Sequence, residues 1–360
     1  MNRIALIIPT LHAGGMERVM SQLIFHFSQR DDVEVHLILY GLKREIFYSI
    51  PNNITIHKPN FEFNNNKRFF HSIKTLIYIR KVIKFINPNT ILSFGELWNS
   101  FVLISLIGKS YPIYVSDRCQ PNKSLGTVHN FLRKILYPRA TGIIAQTEIA
   151  KFIYLNEFKH HNIKVIGNPI RIIKNKQNSS KENIVLSVGR LIQTKHHDEL
   201  IKLFVKINNK NWKLIIVGDD ALKQNNMSRL RALIEELNAE NQVILAGKQT
   251  DVDSYYLKSK IFAFTSSSEG FPNVIGEAQS AGLPVIAFDC IAGPAELIEN
   301  NKNGYLIPVH DYNLFQEKLS LLMKNEELRN IIGENAQISI LKFSSIEIAN
   351  KFYNFILNNN

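Results

Sequence analysis

The sequence predicts an α/β protein of two parallel-sheet domains, and three observations carry that prediction. Short β-branched runs alternate with segments of helical period, a pattern that calls for parallel strands joined by crossover helices. The alternation breaks off near residue 170 in a stretch rich in Asn, Lys, Pro and Ser, and then begins again. With 360 residues, 45% of them hydrophobic, the chain is long enough to build two cores.

Taken in order, the strand candidates of the first half are Ile4 to Ile8, Val33 to Tyr40, Thr90 to Phe94, Ile113 to Ser116, Gly142 to Ala145 and Lys164 to Ile166. Those of the second half are Ile184 to Val188, Lys213 to Val217, Val243 to Leu245, Ile261 to Thr265, Pro284 to Ala287 and Tyr305-Leu306, with helical segments between them that include Met227 to Ala239. The tail from Ile346 to Leu357 has apolar residues at helical spacing and reads as a closing helix. The expected organisation is a Rossmann-like domain over 1–170, a linker over 171–180, a second Rossmann-like domain over 181–342, and the closing helix within 343–360.

Several classes are excluded early. The longest apolar runs, such as Phe101 to Ile107, are strand-sized and fall well short of the roughly 20 residues of a membrane span. The apolar start, Ile4 to Ile8, is too short for a signal h-region and leads into a glycine loop, so it reads as the first strand of a cytosolic protein. Two cysteines, Cys119 and Cys290, far apart in sequence, suit reduced thiols better than a disulfide framework or a zinc site, and no metal-ligand cluster is visible. Residues 1–170 hold 21 Lys and Arg against 10 Asp and Glu, so the first half carries nearly all of the net charge of +12. That asymmetry points to an anionic partner, with a bland solvated surface as the alternative.

Four segments carry chemistry. Gly14-Gly15 follows the first strand and opens a helical segment, where backbone N–H groups can approach a phosphate. A purely conformational glycine pair explains it equally well, and the spacing is not the G-x-G-x-x-G of a dinucleotide site. Arg190 and Lys195 lie in the loop after the first strand of the second domain, where open α/β sheets bind ligands; they could hold a diphosphate or be surface charges. In the segment from Ser266 to Ala287, Glu269 sits in a loop after a strand and Glu277 eight residues on, within the helix that follows. The fourth is Val115-Ser116-Asp117-Arg118 at the end of a first-domain strand: Asp117 or Arg118 contacts a substrate, or the pair is a structural salt bridge.

The run Glu269-Gly270-Phe271-Pro272-Asn273-Val274-Ile275-Gly276-Glu277-Ala278, followed by Gly282-Leu283-Pro284-Val285, resembles glycosyltransferase family 4, with its two glutamates separated by seven residues and its G-x-P-V. Gly14-Gly15, the V-G-R-L loop with Lys195, and Gly293-Pro294-Ala295-Glu296 extend the likeness over most of the chain. The resemblance implies a GT-B fold, two Rossmann-like domains facing each other across a donor-binding cleft. It also implies a retaining transfer of a hexose or N-acetylhexosamine from a nucleotide diphosphate sugar, UDP-sugar by preference, to a lipid-linked or cell-surface polysaccharide acceptor. On these positions, Glu277 would hold the donor ribose, backbone N–H groups around Phe271, Pro272, Asn273 and Val274 would meet the diphosphate, Arg190 and Lys195 would neutralise the leaving group, and Glu269 would lie by the donor sugar. The sequence departs from the family after Lys195, where His196-His197 replaces the common glycine. The Val115 to Arg118 segment resembles the S-E-R segment of relatives that build bacterial surface glycans.

Asp251-Val252-Asp253 imitates a D-x-D metal motif, but an acidic helix start explains it, and with two cations for the diphosphate no cofactor or essential metal is expected. The basic stretch from Lys67 to Lys84 mixes cations with large apolar residues: Lys67, Arg68, Phe69, Phe70, Lys74 and Lys81 would meet an anionic membrane surface, or the segment is an ordinary helix packed on the sheet. The expected partners are a nucleotide sugar, a glycan or lipid-pyrophosphate-linked acceptor and the inner face of the plasma membrane. A nucleic-acid partner is not expected, because no recognised module accompanies the basic charge. Within enzymes, a sugar-nucleotide epimerase or glycan phosphorylase on the same architecture is the competing reading.

Overall fold

A computed structural model of the chain describes residues 1–41, 44–174, 180–221 and 224–357. It divides into two units, Met1–Pro169 with Ser345–Asn360, and Ile170–Ser344. In the first, the elements run β1 (Asn2–Ile8), α1 (Gly15–Ser28), β2 (Val33–Leu39), β3 (Thr55–His57), α2 (Arg68–Ile86), β4 (Thr90–Phe94), α3 (Glu96–Ser105), β5 (Ile113–Ser116), α4 (Thr127–Leu136), β6 (Gly142–Ala145), α5 (Glu148–Phe158) and β7 (Ile163–Val165). The seven strands form one parallel sheet in the order β3-β2-β1-β4-β5-β6-β7. Ile4 to Ile8 are fully buried, as a central strand covered on both faces must be, which is why it reads as an unbroken apolar run.

The strand order reverses direction after β3, so right-handed crossovers send α1 to one face of this sheet and α2, α3, α4 and α5 to the other. The core agrees: Ala5, Ile7, Ile91 and Ile143 pack with Ile79 and Ile83 of α2, Leu103 of α3, Leu136 of α4 and Tyr154 of α5. Consecutive members of this row touch one another, α2 on α3, α3 on α4, α4 on α5.

The second unit runs β8 (Ile184–Val188), α6 (His197–Ile207), β9 (Lys213–Val217), α7 (Asn226–Glu236), β10 (Val243–Gly247), α8 (Asp253–Lys258), β11 (Ile261–Phe264), α9 (Asn273–Ser280), β12 (Val285–Phe288), α10 (Pro294–Leu297), β13 (Gly304–Ile307), α11 (Tyr312–Lys324) and α12 (Glu326–Ser339). Its six strands are parallel in the order β10-β9-β8-β11-β12-β13. The final helix, α13 (Ser345–Leu357), belongs to the first unit, where it packs on α1 and β4; Phe352 meets Phe94 and Phe355 meets Tyr114.

Both sheets are the Rossmann-like α/β layers expected. β3 had no counterpart among the expected strands, because three residues, Thr55-Ile56-His57, at a sheet edge need no apolar alternation. Of the expected linker, Arg171 to Ile173 pack on the second unit: the Ile173 N–H donates to Ser280 Oγ, and that hydroxyl donates to the Arg171 carbonyl. Residues 175–179 of the linker and 358–360 of the closing segment lie outside the described residues.

Candidate active site

The site of the second unit is built at the C-terminal ends of β8 and β11. β8 ends in Gly189-Arg190, and Gly218 at the end of β9 comes so near that a Cβ there would lie 1.8 Å from the Gly189 carbonyl oxygen, at a φ of +150°. Only glycine allows that approach, and it fixes where Arg190 leaves the sheet. Arg190 is exposed. A short 3₁₀ turn, Gln193–Lys195, then brings Lys195 back over the strand ends, its ammonium 4.9 Å from the centre of the Phe264 ring.

The loop after β11 is stitched to that turn by backbone acceptors. Thr265 Oγ1 donates to the Lys195 carbonyl at 2.7 Å, and the Ser267 N–H donates to the Thr194 carbonyl at 2.9 Å. This carries Glu269 to Lys195: the two side chains form a direct charge-assisted hydrogen bond, both about one-sixth exposed. Two candidate residues 74 positions apart are thus joined as one ion pair.

His196, where the family glycine is missing, adopts a left-handed φ of 50°, the conformation a glycine would supply freely. Its Nε2 lies 2.9 Å from Ser267 Oγ, so the replacement keeps the turn and adds a strut to the Glu269 loop. His197 is buried, and burial, followed by the nearby Lys195 charge, lowers its pKa to about 3, so its imidazole is neutral at physiological pH. Cys290 is buried as well; burial, then the Glu269 charge, pushes its thiol up to about 12, which favours the protonated thiol.

Glu277 lies within α9 and is nearly buried. Tyr256 OH donates to its Oε2 at 3.2 Å, and Arg171 Nε stands 3.8 Å from its Oε1. Arg171 also pairs with Asp253; although burial works against its charge, these carboxylates hold its pKa above the ordinary value. Phe271 and Pro272 are buried in front of α9, and Phe271 packs on Phe343. Gly293, at a φ of +148°, would place a Cβ 2.5 Å from Pro272 Cδ, so that glycine lets the G-P-A-E turn close against the α9 N-terminus. Asn273 and Val274, half-buried, form the first turn of this helix, which has no side-chain cap. Backbone N–H groups at such an end suit an anion.

The D-x-D imitation resolves into local contacts: Asp251 Oδ1 accepts from the Ser254 N–H at 3.2 Å and Asp253 pairs with Arg171. Among the described residues no group of three or more His, Cys, Asp or Glu side chains is arranged to hold a metal.

The remaining candidates lie in the first unit. Gly14 precedes α1 with extended backbone; its N–H donates to Tyr48 OH at 3.1 Å and its carbonyl accepts from that hydroxyl at 2.8 Å, while a side chain at Gly15 would point into open space. Asp117 is buried and fully engaged, accepting from Arg133 Nη2 at 2.5 Å, Tyr137 OH at 2.6 Å and Asn99 Nδ2 at 3.0 Å. Arg118 donates to Asn168 Oδ1 at 2.8 Å and lies over the Phe94 ring; burial lowers its pKa to about 9. The basic segment is α2 and the 3₁₀ turn before it: Lys67, Arg68, Phe69, Phe70, Lys74 and Lys81 are all exposed, while Thr75, Ile79, Ile83 and Ile86 pack inward. No helix among the described residues is long and apolar enough to cross a membrane.

Sequence reading missed Arg171 and Tyr256, the partners of Glu277, and Tyr48, the partner of Gly14. No local signal marks them, because each meets its partner only through the fold.

Residues 169–339 match the family described as glycosyl transferases group 1. The chain is 29% identical to the amylovoran biosynthesis glycosyltransferase AmsD of Erwinia amylovora, with 96% of this chain and 97% of that protein aligned. It is 27% identical to the N-acetylgalactosamine-N,N'-diacetylbacillosaminyl-diphospho-undecaprenol 4-alpha-N-acetylgalactosaminyltransferase of Campylobacter jejuni, over 99% of this chain and all of that one. In fold it is similar to the crystal structure of Anabaena HepE in complex with UDP, with a TM-score of 0.80, 19% identity and 98% of each chain covered.

Proposed function

This chain is a glycosyltransferase that carries a group 1 domain over residues 169–339 and has the GT-B fold, and from that premise we propose that it is a retaining enzyme. It moves a hexose or N-acetylhexosamine from a nucleotide diphosphate sugar, UDP-sugar by preference, to a lipid-linked or cell-surface polysaccharide acceptor. The relatives named for amylovoran biosynthesis and for a diphospho-undecaprenol acceptor support the acceptor class, and the neighbour solved with UDP supports the nucleotide.

The single observation that carries the site assignment is the Lys195 and Glu269 pair at the ends of β8 and β11. The diphosphate takes the backbone N–H groups of Phe271 and Val274, on either side of Pro272, which has none, and Asn273, whose N–H donates to the Phe271 carbonyl; the helix end and the cations favour negative charge there. As the bond from the anomeric carbon to the phosphate oxygen breaks, Arg190 and Lys195 stabilise the charge on the departing oxygen. That oxygen accepts the acceptor hydroxyl proton while the acceptor oxygen bonds to the same face of the sugar. Glu269 stays beside the sugar and offsets the positive charge at the anomeric carbon, and no protein nucleophile is required. Arg118, rather than the fully engaged Asp117, is the first-unit side chain suited to an anion.

A panel of nucleotide sugars tests the reading: a true donor at about 100 times its Kd raises stability by roughly 2.7 kcal/mol. It should be consumed quickly only when acceptor is added. Conversion of the sugar nucleotide without acceptor would replace the transferase by an epimerase. Glu277→Ala should weaken donor binding by about 1.5–3 kcal/mol, since a carboxylate that accepts hydrogen bonds from the ribose is removed; titration of donor into the variant measures it. Turnover should persist in excess EDTA, because Asp251 and Asp253 are engaged within the protein and two cations serve the diphosphate. Loss of turnover that Mg²⁺ restores would make those aspartates ligands.

The enzyme works at the cytosolic face of the plasma membrane as a peripheral protein. The exposed cations Lys67, Arg68, Lys74 and Lys81, with Phe69 and Phe70, are suited to anionic headgroups.

A further inference from the structure

Glu269 is carried by an irregular loop, so its position depends on what ties that loop down. Residues 265–272 connect the end of β11 to α9 without regular structure, and they include three successive serines and Gly270. A segment of that composition has little conformational preference of its own. Its ties run to the turn Gln193–Lys195: besides the Thr265 and Ser267 bonds already described, Ser266 Oγ donates to the Thr194 carbonyl at 3.3 Å. These bonds end on backbone carbonyls of a turn that must itself be held in place.

His196 stands where the turn meets α6. Its N–H donates to the Gln193 carbonyl at 3.1 Å and its carbonyl accepts from the Leu200 N–H at 3.1 Å, which fixes its backbone between turn and helix. From there Nε2 reaches Ser267 Oγ, two residues short of Glu269. The other side of the ring is met by His310, edge-on, with centroids 5.2 Å apart and planes at 85°. His310 Nδ1 lies 3.0 Å from Tyr312 OH, and its ring packs against Phe288, which is fully buried and meets Phe315 of α11. A continuous row thus runs from the core of the second unit through Phe288, His310 and His196 to the Glu269 loop.

Both histidines sit in the left-handed region, at φ of 50° and 70°. Glycine adopts that conformation freely, whereas a residue with a Cβ is strained by it. Turns of this unit that only need to close carry asparagine there, as at Asn208, Asn238 and Asn301. At 196 and 310 an imidazole is kept instead, and the two imidazoles touch each other.

We propose that His196, backed by His310, is a positioning residue that fixes Glu269 through Ser267 for the transfer step. This rests on the reading above that Glu269 serves the donor sugar, and it gives a role to the side chain that replaces the common glycine. His196 acts through the loop and not on the sugar itself.

The test removes the contact from either end. His196→Gly keeps the left-handed backbone and deletes only the ring, and Ser267→Ala deletes the hydroxyl. Each should lower kcat by about tenfold, read as nucleoside diphosphate release from the sugar nucleotide that the donor panel selects. The donor KM should stay within about twofold, because Glu277 and the α9 end are untouched. The double variant should be no slower than either single one, since both remove the same contact. Backbone amide hydrogen exchange across residues 265–270 of the ligand-free chain should quicken in both variants. Glu269→Gln is the control. If it lowers kcat while both single variants stay within about twofold of wild type, the proposal falls and the reading of Glu269 stands. If all three keep the wild-type kcat, both fall. Effects that multiply in the double variant, or exchange that does not change, would also overturn the proposal. A lowered melting temperature with wild-type kcat would leave His196 a structural residue only.

Discussion

Lys195→Ala is expected to lower kcat by about a hundredfold or more, with a smaller change in donor affinity. The reason is the timing of charge. In the ground state Lys195 is already balanced by Glu269 and packed over Phe264, so removing it costs the bound donor little. When the glycosidic bond to the diphosphate breaks, a further negative charge appears on the leaving oxygen, and a fixed cation in a partly dehydrated site is worth most at that moment. Arg190→Ala should act in the same direction. Nucleoside diphosphate release at saturating donor and acceptor measures the effect, normalised to folded protein because the substitution leaves Glu269 without its partner. A kcat within about threefold of wild type would remove Lys195 from the leaving-group role.

Asp117→Ala is expected to cost about 3–5 kcal/mol of stability, the penalty of leaving a buried charge without its counter-ion. Arg133 is that charge. Burial is the largest influence and opposes its positive form, but the Asp117 carboxylate together with Tyr137 and Tyr154 outweighs it and holds the pKa above the ordinary value. Tyr137 and Asn99 would lose an acceptor in the same step. Denaturant unfolding should report the loss, and adding Arg133→Leu should recover part of it, since the double variant has no uncompensated charge. The folded fraction should keep the donor and acceptor KM of wild type. Unchanged stability with a raised acceptor KM would instead make Asp117 a substrate contact.

How much of this could be read beforehand depended on whether the signal was local. The strands β1, β4, β5, β6, β8 and β9 were legible because a parallel strand covered on both faces must be apolar along its length; Thr90 to Phe94 and Ile184 to Val188 were bounded correctly for that reason. The segment from Glu269 to Glu277 was legible because strand, loop and helix N-terminus follow one another within a few residues, and the chemistry of that end needs those residue types in that order. The edge strand β3 was not legible, since its short polar stretch faces no core that would impose a pattern.

By itself the sequence determined the α/β class and the restart of the fold after residue 170, and it singled out the segments proposed here to meet a phosphate-bearing donor. Only the tertiary structure decided which of them act on one another. It joined Lys195 to Glu269 through carbonyls at Thr194 and Lys195, set Arg171 and Tyr256 on Glu277, and closed Asp117 into a buried network with Arg133. The physical reason is the same in each case. A side chain's partner is set by where crossovers bring distant segments together.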